Sequence, residues 1–368
     1  MKITEIRLDR LRLPLDPPFP AAWDPEPRRR FDATVVRVST DEGITGIGSG
    51  DTMDGFAAFE HLFLGKDPRR IAEHVRSIET IDFHAGRYWP LEVALWDIIG
   101  KAAGLPVAHF FGNSADRLPA YASSGMLLPP QERAQSALAA KERGFRAMKI
   151  RISRDRIEEG VASVRAARDA VGDDFDLMVD LNQTWRMAGD TAPALALPKV
   201  RRLAERLRDL GVLWLEEPLP QYDTAGFAHL RAETGIGVAG GEMVRGFNEL
   251  LRLLDTDSLD VYQPDVVLAV GMHRARTLAE VAAARHRQFT PHTWSNGIGL
   301  LANLHVAAGV GAGPYLEFPY DPPFWGPERR DFMLERPIDI DAAGDLAVPD
   351  EPGLGAVLDD DALRRYRL

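Results

Sequence analysis

The sequence predicts an α/β protein in which a parallel barrel of strand–helix units follows a small α+β unit. From about Tyr121 onward, strand-like apolar runs alternate with amphipathic helical segments. Seven polar residues, Lys149, Asp180, Glu216, Glu242, Asp265, His292 and Glu317, recur at the spacing of one strand–helix unit, roughly 30 residues. Nearly all of them sit at or just past the end of an apolar run. A barrel of parallel strands gathers its C-terminal strand ends on one face and builds its active site there. Residues far apart in the chain would then meet at one mouth.

The first segment reads as a three-stranded antiparallel sheet through Ile3, Ile6 and Leu8, then Val35, Val36 and Val38, then Ile44 and Ile47. GITGIGSGD holds closely spaced glycines but lacks the setting of a phosphate loop, and reads as a turn and strand of this sheet. A Pro-rich loop is expected from Pro14 to Arg30, with Trp23 and the arginines Arg28 to Arg30. Helical patterning runs from about Met53 to Leu105, where Gly104 and then Pro106 form a stop signal. Barrel strands are expected near 121–127 and at 147–151, 176–181, 212–216, 237–242, 260–265, 287–292 and 313–317. The segments between them, such as IEEGVASVRAARDAVG, have 3.6-residue apolar spacing and end at glycine. Alternating units of this kind imply a parallel sheet with right-handed crossovers. The turn-rich tail after about Asp321 is expected to return to the first unit.

Composition narrows the function. At 368 residues the chain can hold one large and one smaller unit. A net charge of −11 argues against nucleic acid and against an anionic membrane surface. No apolar run approaches the ~18 residues of a membrane span. The opening MKITEIRLDRLRLP alternates and carries charge, so it reads as a strand rather than a signal peptide. With no cysteine, disulfides and thiolate chemistry are excluded. A cytoplasmic location is the expectation.

The polar residues point to a metal site with acid–base machinery. A carboxylate at the end of an apolar strand is costly to bury unless paired or bound to a metal. Taken singly, Asp180, Glu216 or Glu242 could be a helix cap. In phase on successive strands, three hard oxygen ligands suit one Mg²⁺. His292, in FTPHTW, is the one histidine of nine at this phase, and Asp265 could fix its tautomer and raise its basicity. Alone it could be a core histidine beside Trp294. Lys149 and Arg151, in AMKIRI, share one face of a strand. Two cations inside a barrel need anions: the ligand carboxylates, a substrate carboxylate, or Glu216 or Glu217 as a structural partner.

These residues resemble the enolase superfamily, and within it the mandelate racemase/muconate lactonizing enzyme-like branch and its mandelate racemase subgroup. ALWDIIGKAAGLPV resembles the helical signature of the family's capping domain. V-D-L-N-Q, L-E-E-P and G-G-E carry Asp180, Glu216 and Glu242 as the metal ligands; Q-P-D and P-H-T-W carry the Asp265–His292 dyad. Y-L-E-F carries Glu317, the acidic residue that contacts the substrate carboxylate in the family, and a protonated Glu317 would suit that role. Asn182 matches a polar residue at the substrate hydroxyl. The resemblance implies a (β/α)₇β TIM-like barrel at 119–322, an N-terminal α+β capping domain at 1–118 and a C-terminal return at 323–368. It also implies one Mg²⁺ per active site, a small-molecule carboxylate substrate and, by family analogy, a homo-oligomer. The catalytic set would be His292, Asp265, Lys149, Arg151 and Glu317. Asn182, Lys149, Glu317, Trp294, His84 and Arg87 would bind substrate, with Trp23 and Trp89 as further apolar wall.

One departure bears on the reaction. The family's lysine motif usually reads K-x-K, with the second lysine as a base; here it is Lys149-Ile150-Arg151. Arginine is rarely a base, which leaves His292 as the clear one. One histidine can serve both steps of a syn elimination, so dehydration of a sugar acid to a 2-keto-3-deoxy acid through an enediolate is expected. A lactone cycloisomerase or a racemase/epimerase is the alternative, and a non-catalytic binding protein a remoter one.

Overall fold

The computed structural model describes residues 1–50, 53–311 and 313–368. The first unit is an antiparallel sheet of β1 (Ile3–Phe19), β2 (Arg28–Thr40) and β3 (Thr45–Gly50), in that order. The strands extend through most of the expected Pro14–Arg30 loop, leaving only residues 20–27 outside them. Pro14 pairs with Arg30 and Phe19 with Arg28, and an irregularity between them takes up the prolines. β1 is the edge strand of this sheet, and an edge tolerates proline because its outward N–H makes no ladder bond there.

α1 (Ile71–Asp82) packs on α2 (Trp89–Ala103), and α2 lies against this sheet. The expected helical stretch is thus broken between residues 82 and 89. Gly104, at φ 67°, ends α2 as the stop signal predicts. Gly46 and Gly48 let α2 lie directly on β3: a Cβ would come within 2.1 Å of the Ala94 carbonyl oxygen and 2.0 Å of the Pro90 carbonyl oxygen, respectively.

The parallel strands are β4 (Arg117–Ser123), β5 (Ala147–Arg151), β6 (Asp176–Asp180), β7 (Val212–Glu216), β8 (Gly237–Gly240), β9 (Val261–Tyr262), β10 (Gln288–Phe289) and β11 (Leu316–Pro319). They run β10-β9-β8-β7-β6-β5-β4-β11. Gly313 N–H donates to the Phe289 carbonyl at 2.8 Å, bridging the remaining gap. Among the described residues seven helices alternate with them: α3 (Pro130–Glu142), α4 (Ile157–Val171), α5 (Leu197–Arg208), α6 (Thr224–Thr234), α7 (Phe247–Asp255), α8 (Gly271–Ala284) and α9 (Gly297–Val310). Tyr121, Ala147, Met178, Trp214, Ala239 and Val261 point inward and plug the barrel beneath the mouth. The tail pairs Asp345–Ala347 with β4 and reaches β1 through Leu11 and Arg367. Among the described residues no helix is long and apolar enough to cross a membrane.

Glu92 ties α2 to α8. It is fully buried, and its Oε1 accepts from His273 N–H at 2.8 Å and from Trp96 Nε1 at 3.1 Å. The helix N-terminus favours an anion there, but burial outweighs it and pushes the carboxyl up to about 7. The native state therefore holds this proton between the ordinary value of 4.5 and about 7, where the unfolded chain has lost it. The resulting stabilisation is complete below 4.5 and is lost as pH rises through 7. The difference amounts to about 3 kcal/mol. In urea unfolding, Glu92→Gln is expected to gain that much on wild type between pH 5 and pH 8. A constant gap would show that Glu92 titrates as an exposed carboxylate.

Candidate active site

Strand register sets the site. Arg151, Asp180, Glu216 and Ala239 stand side by side across the ends of β5 to β8. Glu242 lies two residues past β8, Asp265 and His292 follow β9 and β10, and Glu317 lies on β11. All the polar residues picked out by their spacing meet at this end of the barrel and are buried.

Asp180, Glu216 and Glu242 each place a carboxylate oxygen within 4.8 Å of the others. Lys149 Nζ lies 2.5 Å from Glu216 Oε1, 2.7 Å from Glu317 Oε1 and 3.6 Å from Asp180 Oδ2. Arg151 forms an ion pair with Asp180 and donates to Asn182 Oδ1 at 2.8 Å and to the Ser124 carbonyl at 3.1 Å. Burial alone would lower both cations. The surrounding carboxylates outweigh it, chiefly Glu216 and Glu317 for Lys149 and Asp180 for Arg151, and raise both side chains above their ordinary values.

Glu317 accepts from Ser123 Oγ at 2.6 Å and from Thr293 N–H at 2.7 Å in addition to Lys149. Burial opposes its charge, but Lys149, His292 and Arg151 outweigh burial and hold it well below the usual carboxylate range. A protonated Glu317, which would suit the family role, is therefore not the form this geometry favours, because every group around it donates. Neither Glu317 nor Lys149 is on the cavity wall; both lie one layer beneath it.

His292 Nδ1 is 2.9 Å from Asp265 Oδ2, and its Nε2 faces Glu242 Oε2 at 3.6 Å. Asp265 is fixed in turn by Val267 N–H at 2.9 Å and Asn303 Nδ2 at 3.1 Å. An Asp on Nδ1 leaves Nε2 free for proton transfer toward the cavity. Burial works against the imidazolium, yet Glu242, Glu317 and Asp265 together raise the ring to about 9.

A cavity of about 370 Å³ opens above these groups. His292, Glu242, Arg151 and Asn182 line its base, and Trp23, Trp294 and Trp185 its walls. Trp23 and Trp294 meet edge to face at 4.9 Å, and the Arg151 guanidinium sits 4.8 Å from the centre of the Trp23 ring. Arg28 and Arg87 also line it, Arg28 being tied to Asp24 at 2.8 Å. Two expected residues are elsewhere. His84 is exposed on an extra turn after α1, its N–H bonded to the Ile81 carbonyl. Trp89 is buried at the start of α2 against α8, in contact range of Gly271.

Sequence reasoning passed over several residues. Trp185 donates from Nε1 to Glu242 Oε1 at 2.6 Å, and Gln263 donates to Glu216 Oε2 at 2.9 Å. Trp185 lies two residues past V-D-L-N-Q and Gln263 is the first residue of Q-P-D, and that proximity was the available signal. Glu217, weighed from sequence only as a structural partner for Lys149 or Arg151, is fully buried with neither carboxylate oxygen hydrogen-bonded. Burial, with Glu242, Asp180 and Glu216 nearby, pushes its carboxyl well above the ordinary range.

The donor set fits a hard divalent cation. It is all oxygen, its members are mutually close, and Glu242 Oε2 is buried without a hydrogen-bond partner.

A (β/α)₇β barrel with a carboxylate cation site, a His–Asp dyad and an α+β cap defines a metal-dependent enzyme of carbon-acid chemistry. The chain belongs to the enolase superfamily, mandelate racemase/muconate lactonizing enzyme-like. Residues 132–362 match the enolase C-terminal domain-like family, and residues 14–112 match the mandelate racemase/muconate lactonizing enzyme N-terminal domain. The chain is 28% identical to the L-talarate/galactarate dehydratase of Salmonella typhimurium, over 91% of this chain and 82% of that protein. It is 28% identical to the D-galactarolactone cycloisomerase of Agrobacterium fabrum, over 100% and 99%. The crystal structure of a racemase from Streptomyces coelicolor with bound magnesium superposes with a TM-score of 0.85 at 27% identity, covering 100% of both chains. Mg²⁺ is accordingly the cofactor, and the cluster of Asp180, Glu216 and Glu242 suits it.

Removing the Trp185 hydrogen bond frees Glu242 to turn. Trp185→Phe is expected to weaken Mg²⁺ binding by about 10-fold or more, read by calorimetry on chelator-stripped protein. Unchanged affinity would show that Glu242 is held without it.

Proposed function

We propose that this enzyme dehydrates a sugar acid, an aldonate or aldarate, to a 2-keto-3-deoxy acid. One observation carries the reading. His292 is the imidazole facing the cavity, while the group at the K-x-K base position is Arg151, pinned by Asp180, Asn182 and Ser124 and held charged. Proton transfer is thus confined to one face of the substrate. Elimination of water needs no more than that.

Mg²⁺ held by Asp180, Glu216 and Glu242 would supply Lewis-acid stabilisation of the charge that builds on the substrate carboxylate. With the charge of Glu242, the largest that holds the ring protonated, neutralised by the bound ion, His292 Nε2 takes the proton from the carbon α to that carboxylate, giving an enediolate. Asp265 on Nδ1 stabilises the imidazolium that results. The imidazolium returns the proton to the hydroxyl on the β-carbon, which leaves as water. The enol so formed ketonises to the 2-keto-3-deoxy acid. Arg151 and Asn182, at the cavity base, bind the substrate's oxygens. The Trp23, Trp294 and Trp185 walls exclude water and pack against the carbon skeleton.

A lactone cycloisomerase is the second reading. It is favoured by the match to the Agrobacterium fabrum cycloisomerase over the whole of this chain and 99% of that protein. There the leaving group would be a ring ester oxygen instead of hydroxyl.

¹H NMR in D₂O with Mg²⁺, against aldonic and aldaric acids and their lactones, separates the two. A new 3-deoxy methylene signal from an acid with loss of water is the expected outcome. Exchange of the α-proton or opening of a lactone ring, with no water lost, would establish an isomerase instead. His292→Asn is expected to lower turnover by at least about 10³-fold while leaving Mg²⁺ affinity within a few-fold of wild type. Substantial residual turnover would move the base elsewhere.

A further inference from the structure

Five of the six carboxylates at the mouth have a donor. Asp180 has Arg151; Glu216 and Glu317 share Lys149; Asp265 has His292 and Asn303; Glu242 has Trp185. Glu217 has none: both oxygens are buried and without a hydrogen-bond partner among the described residues. A buried carboxylate is costly in this condition, and protonation would leave a buried hydroxyl equally unpaired.

The backbone holds it there. Glu217 stands at φ 48°, a left-handed conformation that non-glycine residues seldom adopt. It is fixed from both sides, its N–H on the Ala239 carbonyl and its own carbonyl accepting from Gln183 N–H. This reversed backbone follows directly on Glu216, which is one of the three clustered carboxylates. Without it, the side chain after Glu216 would follow the strand alternation and point away from the barrel interior. The fold spends backbone strain at this point and leaves the group it orients with no protein partner.

We propose that Glu217 is a fourth carboxylate of the Mg²⁺ site, acting one shell out from Asp180, Glu216 and Glu242. Its oxygens are not among the three that cluster within 4.8 Å, so it does not serve as one more direct ligand of that cluster. Mg²⁺ dehydrates reluctantly and keeps several waters when few protein carboxylates reach it. A buried, unpaired carboxylate beside such an ion accepts hydrogen bonds from those waters and adds its charge to the site. Partners of this outer kind commonly change metal affinity by 10- to 100-fold. The inference rests on the Mg²⁺ triad and not on the proposed dehydration; it stands whichever acid or lactone proves to be the substrate.

The test measures the ion, not turnover. Chelator-stripped wild type, Glu217→Gln and Glu217→Asp are titrated with Mg²⁺ by calorimetry and with Mn²⁺ by electron paramagnetic resonance. Glu217→Gln keeps the size of the side chain and is expected to bind Mg²⁺ about 10- to 100-fold more weakly, with Glu217→Asp between the two. Ion-free Glu217→Gln should unfold at about the same temperature as ion-free wild type, since neither the carboxyl nor the amide finds a protein partner there, while gaining less from added Mg²⁺. Affinity within about twofold of wild type would overturn the proposal and leave Glu217 a structural residue. Should the variants fail to fold, a crystal structure of wild type with Mg²⁺ decides: Glu217 on the ion's waters upholds the assignment, and Glu217 turned from the ion overturns it.

Discussion

Lys149 and Arg151 make the barrel mouth possible. Six carboxylates converge there without exposure to water, and each would be discharged by burial if nothing answered it. The two cations rise from one strand at period-two spacing, so β5 inserts positive charge into the middle of the ring. Asp180 is matched by Arg151 on the neighbouring strand, and Glu216 and Glu317 are bridged by Lys149 across the barrel. What remains incompletely matched is one corner, around Glu242 and Glu217, and this corner adjoins the cavity and the free nitrogen of His292. On electrostatic grounds alone a divalent cation belongs there.

The same layout separates structural charge from reactive charge. Lys149 and Glu317 are sealed below the cavity, and their contribution is to orient what lies above them. Glu317 fixes Ser123, which accepts from the Trp294 indole at 2.7 Å, and Trp294 walls the cavity. His292 is reached by the cavity and steadied from behind by Asp265, which itself is fastened to α9 through Asn303.

Much of this was legible in the chain because strand ends repeat. One residue per unit, at the same phase, is a signal that survives ignorance of the helices between. Asp180, Glu216, Glu242, Asp265 and His292 stand out for that reason, and the structure brings them together. The residues that bind them were harder to see. Trp185 and Gln263 act through loops whose path depends on packing, and no periodicity marks them. His84, expected to bind substrate, and Trp89, expected in the wall, lie away from the cavity because the chain between α1 and α2 makes an extra helical turn and then buries Trp89 against Gly271, neither of which the aromatic-rich FHAGRYW segment reveals. The Pro14–Arg30 segment misled in another way. Proline suggested a loop, but an edge strand has no inner partner to lose, and the hairpin simply runs on.

That hairpin has a consequence for how such an enzyme can change. The roof of the cavity is built by the tip of the N-terminal sheet, and the chemistry by barrel strands more than a hundred residues further on. A roof made from a separate stretch of chain would let substrate preference drift while the reaction stayed constant. Here the two are not independent. Trp23 lies on the guanidinium of Arg151, and Arg151 is the partner of Asp180. A substitution at the hairpin tip is therefore felt at a metal ligand two contacts away, so new specificity in this lineage must be sought among variants that keep an aromatic face over Arg151.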